Sequence, residues 1–322
     1  MNLAKLRLSM IATVGLLIAL STLFFAVFLN LMGVTDLLSL TLFVALFNVG
    51  QWLFAPHLIN SMYQIQEIPQ SQTRLNEMIE NLSRKMGLNA PKLVMANIPI
   101  PNAFAYGSPI SGSRVAVTSG LLRELQDEEV EAVLGHELGH IKNGDVQTMM
   151  FASVLPAIFY FISRSMMMSA YYGDPREKET RGAAPMLIGT ASLAIHYVLT
   201  LLVLGLSRLR EYYADQRSVS VVEDGGRKLS EALAKIASSS SKMRMFRQAP
   251  ANLNSFKALF IEDPDTAERD EVSTTARRMS VTDEHLVREI ASREVSLIDH
   301  IFELLSTHPN IVKRLRALQK LS

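Results

Sequence analysis

The chain of 322 residues contains no cysteine, which excludes disulfide bonds and metal sites built from thiolates. It also has almost no net charge, because 32 lysines and arginines face 31 aspartates and glutamates, and the basic residues are dispersed rather than gathered in a stripe. We therefore expect no nucleic-acid partner. Charged residues make up only 20% of the chain, hydrophobic residues make up 48%, and the mean hydropathy is +0.18. That balance is too apolar for a typical soluble protein and predicts membrane-spanning segments.

The segment His136-Glu137-Leu138-Gly139-His140 carries the clearest chemical signal. On a helix, histidines at i and i+4 share one face and can bind a zinc ion, with Glu137 placed to polarise a water molecule. Asp127 and the acidic residues after it predict the start of this helix, and Asn143-Gly144 predicts its end. Apolar residues recur at helical spacing between these points, which predicts a buried helix whose imidazoles need a partner. The alternative is a surface helix with solvated histidines.

A third metal ligand is needed, because catalytic zinc usually has three protein ligands and one open position. Without cysteine, that ligand has to be His, Asp or Glu. Glu211 and Asp215 stand at i and i+4 in the segment 210–215. One helix can therefore supply both a ligand and a carboxylate that orients a ligating histidine. An ordinary helical surface face is the alternative for this pair.

Four apolar segments have the length needed to cross a bilayer, whose hydrocarbon core takes about 20 residues of helix. They are residues 8–29, 37–54, 149–168 and 183–206, and their spacing predicts two helical hairpins. The third segment is the poorest because it contains Pro156 and Arg164, so two buried core helices are the alternative for the second hairpin. A signal peptide is the alternative for the first segment, but no small-residue cleavage site precedes Asn30.

Together these segments resemble the HtpX-type membrane zinc metalloproteases, which are distantly similar to the CAAX prenyl proteases. The matching segments, in the order of the family, are 101–105, 115–122, 127–145, 210–215, 258–261 and 307–309, followed by Arg314. The resemblance implies one Zn²⁺ per chain, held by His136, His140 and Glu211. It implies Glu137 as the general base and Asp215 as support behind the ligands.

The same resemblance implies a substrate-binding strand formed by Asn102, Ala103, Phe104 and Ala105. It also implies that His308 and Arg314 face the site. We expect His308 to donate to the carbonyl oxygen of the scissile bond, and Arg314 to contact substrate. From the residues alone, the segment 102–105 is an ordinary loop and strand, and His308 is a helix-cap or core histidine.

The expected fold is a mainly α membrane protein with a zincin-like α+β catalytic domain, four transmembrane helices in two hairpins and a small β-sheet. A helix is predicted over 71–86 and short strands over 92–95, 103–106 and 114–118. The strand next to the metal offers an edge that an extended substrate can join. Residues 281–306 have an amphipathic helical pattern, which predicts that they return His308 to the core.

The predicted domains follow from the apolar segments. Residues 1–56 form the N-terminal transmembrane hairpin, 57–148 the first part of the protease domain, 149–206 the second hairpin, and 207–322 the second part of the protease domain. That last part contains a flexible, solvated insertion at about 262–280, where the chain departs from the family pattern. Basic residues that precede the first segment and follow the fourth place both parts of the protease domain in the cytoplasm. We therefore expect a multi-pass protein of the plasma (inner) membrane, with the lipid bilayer as a partner.

The expected activity is zinc-dependent hydrolysis of peptide bonds, and the family implies that the substrates are membrane or misfolded proteins. Two alternatives stay open. A CAAX-type protease uses the same chemistry on a lipidated C-terminus, although four spans rather than a larger helical cage weigh against it. A metal-stabilised membrane scaffold without activity would keep the ligands but would not need Glu137.

Overall fold

The structure is a computed structural model that describes residues 50, 53–54, 56–57, 59–61, 63–68, 73–172, 183–245 and 283–321. The first predicted hairpin lies outside the described residues except at its end. The 258–261 segment and the 262–280 insertion also lie outside them. The described residues fall into two compact units. One contains residues from 53–146 and 207–321, and the other contains residues from 147–206.

The described part of the chain is mainly helical and has one small mixed sheet. Its elements are, in order, β1 (Ile65–Glu67), α1 (Thr73–Met86), β2 (Lys92–Ala96), β3 (Ala103–Ser108), β4 (Gly112–Thr118), α2 (Ser119–Glu124), α3 (Asp127–Lys142), α4 (Asp145–Tyr172), α5 (Ala183–Val221), α6 (Gly225–Met245), α7 (Asp283–Ser292), α8 (Leu297–Leu304) and α9 (Ile311–Leu318). The helix predicted over 71–86 is confirmed as α1, and the three predicted strands are confirmed as β2, β3 and β4, with ends shifted by a few residues. The predicted 281–306 helix is instead two helices, α7 and α8.

The sheet has the strand order β1-β2-β4-β3, so β3 is an edge strand. Strands β2 and β4 are parallel, and β3 pairs with β4 in antiparallel register, from Ala103 opposite Val117 to Ser108 opposite Gly112. The backbone N–H of Thr118 donates to the carbonyl of Asn102 over 2.9 Å. Hydrogen-bonded positions alternate along an antiparallel pair. The backbone groups of Ala103, Ala105 and Gly107 therefore point away from β4, toward the outer edge.

The core of the first unit lies between α1, the sheet, α3, α6, α7 and α9. Helix α3 contributes Val130, Val133, Leu134 and Leu138 to it, all almost completely buried. On another face, α3 has glycines where it meets α5. A Cβ at Gly139 would lie 3.2 Å from the Cα of Ala214, closer than most real contacts. The glycine therefore lets the two helices approach closely, which brings Glu211 beside the motif histidines.

The second unit contains the rest of α4 and the first part of α5. Phe159, Leu199 and Leu206 are fully buried in its core. The imidazole of His196 lies 2.8 Å from the carbonyl of Pro156, so Nδ1–H can donate across the helix pair. Among the described helices, the one over Ala184–Val221 is long and apolar enough to cross a membrane. The arrangement of four spans in two hairpins therefore stays a prediction.

Candidate active site

Helix α3 presents both histidines of the motif from its C-terminal half. The N-cap of α3 is Gln126, whose backbone N–H donates to the Glu129 carboxylate over 2.7 Å. The predicted cap, Asp127, is the first helical residue instead, and with Glu129 it provides the acidic first turn. His136 and Glu137 are buried, with 1% and 3% of their surfaces exposed. The alternative of solvated surface histidines is therefore wrong.

The ligand atoms of His136, His140 and Glu211 converge. The two Nε2 atoms are 3.1 Å apart, and the Glu211 oxygens lie 3.5 Å from His136 Nε2 and 3.3 Å from His140 Nε2. A tetrahedral ion with bonds of about 2.0–2.2 Å keeps its ligand atoms about 3.3–3.6 Å apart. The two distances to Glu211 fall in this range and the distance between the Nε2 atoms is 0.2 Å shorter, so the spacing is close to that of a tetrahedral metal site.

Each imidazole is held by a carboxylate on its other nitrogen. His136 Nδ1 lies 2.9 Å from Asp215 Oδ1, and His140 Nδ1 lies 2.6 Å from Asp145 Oδ2. When Nδ1–H donates to the carboxylate, Nε2 carries a lone pair directed at the other ligands. Two such lone pairs and the Glu211 carboxylate then meet at one point, an arrangement that requires a cation between them.

Asp145 was given no role by the sequence analysis, and neither was Arg210, whose Nε lies 2.9 Å from Asp145 Oδ1. Gly144 has φ +66°, a left-handed conformation that few other residues adopt. The chain therefore turns sharply after α3, and the first residue of α4 points back to His140. The one available sequence signal was an aspartate directly after the Asn143-Gly144 helix stop.

The carboxylate of Glu137 is directed toward the sheet, and not toward Asp145 or Asp215, the two carboxylates that hold the ligating imidazoles. It is buried, and burial raises the pKa of its carboxyl above the ordinary value despite the nearby imidazoles of His136 and His140. The backbone N–H of Ala105 donates to this carboxylate, as the outward direction of that amide at the edge of β3 allows. A carboxylate with a raised pKa is suited to accept a proton and release it again.

Arg314 lies at the site against two of its carboxylates. Its guanidinium donates to both oxygens of Asp215, over 2.8 and 2.7 Å, and its Nη1 lies 3.2 Å from Glu211 Oε2. The residue is only 2% exposed. The expected contact of Arg314 with substrate stays a prediction.

His308 lies at the same site. It is buried, and its Nε2 is 3.9 Å from Glu211 Oε1. Its Nδ1 is 2.9 Å from the hydroxyl oxygen of Thr307. If that hydroxyl donates to Nδ1, the Nε2 atom carries the proton and faces the metal ligands.

In the 102–105 segment, side chains support the sheet, while the backbone lies on the edge of the sheet. Asn102, Ala103 and Phe104 are buried. The ring of Phe104 packs against Tyr63 and Tyr106, with centroids 5.0 and 5.6 Å apart. Phe104 is therefore a core residue by its side chain. The groups of this segment that are directed outward are the backbone N–H and C=O of Ala103 and Ala105.

Burial and the charges of the site shift the pKa values of its two glutamates, Glu137 and Glu211, in opposite directions. Burial by itself raises the pKa of Glu211, but the positive charges of His308 and Arg314 hold it well below its ordinary value. Burial lowers the pKa of His140, yet Asp145 and Glu211 outweigh burial and raise it from 6.5 to about 10. Glu211 is thus fixed as an anion while the pKa of Glu137 is raised. This is the difference expected between a metal ligand and a proton carrier.

Comparison with known proteins supplies the family. The model of peptidase family M48 matches residues 69–322. This chain belongs to that family. It is similar to the protease HtpX homolog of Aeropyrum pernix, with 38% identity over 92% of this chain and 89% of that protein. It is also similar to protease HtpX homolog 2 of Saccharolobus solfataricus, with 31% identity over 99% of this chain and 98% of that protein.

A solved structure shares the fold. The crystal structure of S. mikatae Ste24p matches with a TM-score of 0.54 and 16% identity, over 98% of this chain and 67% of that chain. The predicted family and the predicted metalloprotease activity are confirmed by these relatives. A protease acts on protein substrates, and the alternative of a scaffold without activity is disfavoured accordingly.

Proposed function

We propose that this M48 metalloprotease is a zinc endopeptidase of the plasma (inner) membrane, with its catalytic domain in the cytoplasm. The observation that carries the zinc assignment is the tetrahedral spacing of His136, His140 and Glu211, with a carboxylate behind each imidazole. Nitrogen and oxygen ligands in this number are typical of catalytic zinc. These residues would hold zinc, which would supply Lewis-acid chemistry and would lower the pKa of water to near neutrality.

Glu137 is the proposed general base. Its carboxylate accepts a proton from water as the water oxygen attacks the scissile carbonyl carbon, and it passes that proton to the leaving amine nitrogen as the C–N bond breaks. The Ala105 N–H holds the carboxylate in place during both transfers. The buried position of Glu137 favours the return of the proton, because it raises the carboxyl pKa.

His308 and β3 are the proposed substrate contacts. The Nε2–H of His308 donates to the carbonyl oxygen of the scissile bond, where negative charge develops. The substrate backbone extends β3 by pairing with Ala103 and with the carbonyl of Ala105. Asn102 and Phe104 keep that strand in position, and Arg314 with Asp215 keeps the ligands in position.

The membrane assignment rests on α5. Its apolar stretch ends at Leu206, and Glu211 follows five residues later on the same helix. Five residues of α-helix correspond to a rise of about 8 Å, so the proposed metal ligand follows the proposed span closely in sequence. Membrane proteins, including misfolded ones, are therefore the proposed substrates. The proposed topology has two hairpins, with 1–56 and 149–206 as membrane segments.

The experiment compares casein cleavage and zinc content of the purified full chain with those of Glu137→Gln. We expect kcat to fall about 10²–10⁴-fold while bound zinc is retained. Glu131→Gln on the same helix is the matched control and should keep full activity, since the ion pair of Glu131 with Lys228, at 3.7 Å, involves no metal ligand. Undiminished hydrolysis by Glu137→Gln would exclude Glu137 as the base. Cleavage of unlipidated casein would separate this activity from a strict requirement for a prenylated C-terminus.

A further inference from the structure

Helix α8 has its apolar face on the outside. Six apolar side chains of α8 and its C-terminal cap are 39–84% exposed: Leu297, Ile298, Ile301, Phe302, Leu304 and Leu305. At 100° per residue they occupy a continuous arc of about 160°. This is the reverse of a surface helix in a soluble protein, which places its apolar stripe against the core.

The opposite side of α8 contacts the protein through Glu303. Glu303 accepts a hydrogen bond from the backbone N–H of Asn310 over 3.2 Å and pairs with Lys313. Asp299 caps α8 itself by accepting from the backbone N–H of Ser296 over 2.8 Å. The helix is therefore held to α9 through Glu303, which leaves the apolar arc facing outward.

Arg208 ties α8 to the C-terminal part of α5. Its Nη1 donates to the carbonyls of Glu303, Leu304 and Ser306 over 2.7, 3.2 and 2.7 Å. Arg208 follows Leu206, the end of that stretch, by two residues, or about 3 Å of helix. The C-terminal end of α8 is thus tied to a residue that follows the proposed membrane span closely in sequence.

We propose that α8 is an interfacial helix that lies in the headgroup region of the bilayer with its apolar arc among the acyl chains. The proposal rests on the proposed membrane span of α5. Interfacial helices bury one apolar face about 5–10 Å into this boundary. An exposed arc of this size normally marks an interaction surface, and its attachment at Arg208 favours lipid over a second copy of the chain.

Membrane contact at α8 bears on the active site through a short connection. The backbone N–H of His308 donates to Ser306 Oγ over 3.1 Å, and the carbonyl of Ser306 is one of the three that Arg208 binds. The proposed interfacial helix ends at Leu304, only four residues before His308. Seating of α8 in the interface fixes the segment that carries His308 at the membrane surface.

The test uses the natural absence of cysteine. Single cysteines replace Ile301 or Leu305 in the full chain, and each is labelled with an environment-sensitive fluorophore. The labelled protein, checked for retained protease activity, is placed in phosphatidylcholine vesicles that contain nitroxide-labelled lipid. We expect labels on α8 to lose most of their emission to the lipid nitroxide and to be protected from iodide in water.

Labels at two further positions distinguish the possible outcomes of the test. Arg288→Cys on α7 is the solvent control, because its side chain is 73% exposed beside Glu284, and its label should be quenched by iodide alone. Leu187→Cys, 73% exposed on α5, reports the proposed span and should be quenched by the lipid nitroxide. Quenching at Leu187 without quenching on α8 would overturn the interfacial helix alone. Protection of α8 from both quenchers would show that protein covers it and would also overturn the proposal. No lipid quenching at Leu187 would overturn the membrane span itself.

Discussion

Arg314 is predicted to be the countercharge on which the metal-free site depends. It lies 2.7 Å from Asp215 and 3.2 Å from Glu211, and all three residues are buried. At an effective dielectric constant of about 20, each contact is worth about 5–6 kcal/mol of Coulomb attraction. Desolvation of the buried ions opposes this gain, and loss of one partner of a buried pair typically costs about 3–5 kcal/mol.

The perturbation is Arg314→Ala, studied by thermal unfolding of the full chain with and without a zinc chelator. In chelator, we expect the unfolding free energy to fall by about 3–5 kcal/mol, because Asp215 and Glu211 are left as buried anions. For a catalytic unit of this size, the expected fall in Tm is on the order of 10 °C. With zinc present the loss should be smaller, since a bound cation supplies part of the missing charge.

Two variants complete the test. Arg314→Lys keeps the charge but cannot make the two-pronged contact with Asp215, so an intermediate loss is expected. Arg288→Ala removes an exposed arginine of a surface pair and should change stability by less than about 1 kcal/mol. The reasoning is refuted if Arg314→Ala in chelator unfolds at the wild-type temperature, or if zinc makes no difference to its deficit.

Two other predictions concern the histidine ligands. Asp145→Asn should weaken zinc binding about 10–100-fold, measured by competition with a chromogenic chelator, because the partner that orients His140 loses its charge; an unchanged affinity would contradict that role. In chelator, stability should fall as the pH rises from about 6.5 to about 10, because the raised pKa of His140 contributes stability that is complete below the first value and lost through the second. Zinc-loaded protein should lack this dependence, and a chelated protein equally stable at both pH values would argue against it.

Sequence reasoning succeeded where the chemistry is local. His136 and His140 are one helical turn apart, as are Glu211 and Asp215, so spacing alone places each pair on one face. The contact between α3 and α5 could not be read in that way, because it depends on the small surface of Gly139 against Ala214. The family resemblance, rather than spacing, joined the two pairs.

Burial and surroundings were the features that sequence could not supply. The family resemblance implied that Arg314 contacts substrate, but the burial of its guanidinium against Asp215 could not be read from the sequence, because arginine is rarely enclosed. The amphipathic pattern of 281–306 predicted a helical segment that returns His308 to the core, but it did not predict what the apolar face contacts. Helix α8 has that pattern with the apolar face outward. Periodicity identifies an amphipathic helix but not the medium that each face contacts.

The charges of the buried site lead to a last prediction, on proton release. Its carboxylates are those of Glu137, Asp145, Glu211 and Asp215, and its guanidiniums are those of Arg210 and Arg314. These carboxylates outnumber the two guanidiniums and the positive charge of His308, so the site attracts a cation, which is either Zn²⁺ or protons on the ligating imidazoles.

The raised pKa values of His136 and His140 indicate that protons fill this role in the absence of metal. Zinc requires neutral imidazole ligands, so binding at pH 7 should release about two protons, measured by calorimetry in buffers of different ionisation enthalpy. Glu137→Gln should release a similar number, because Glu137 is not a ligand. Zinc binding without proton release would mean that the imidazoles are already neutral, and the charge balance proposed for this site would be wrong.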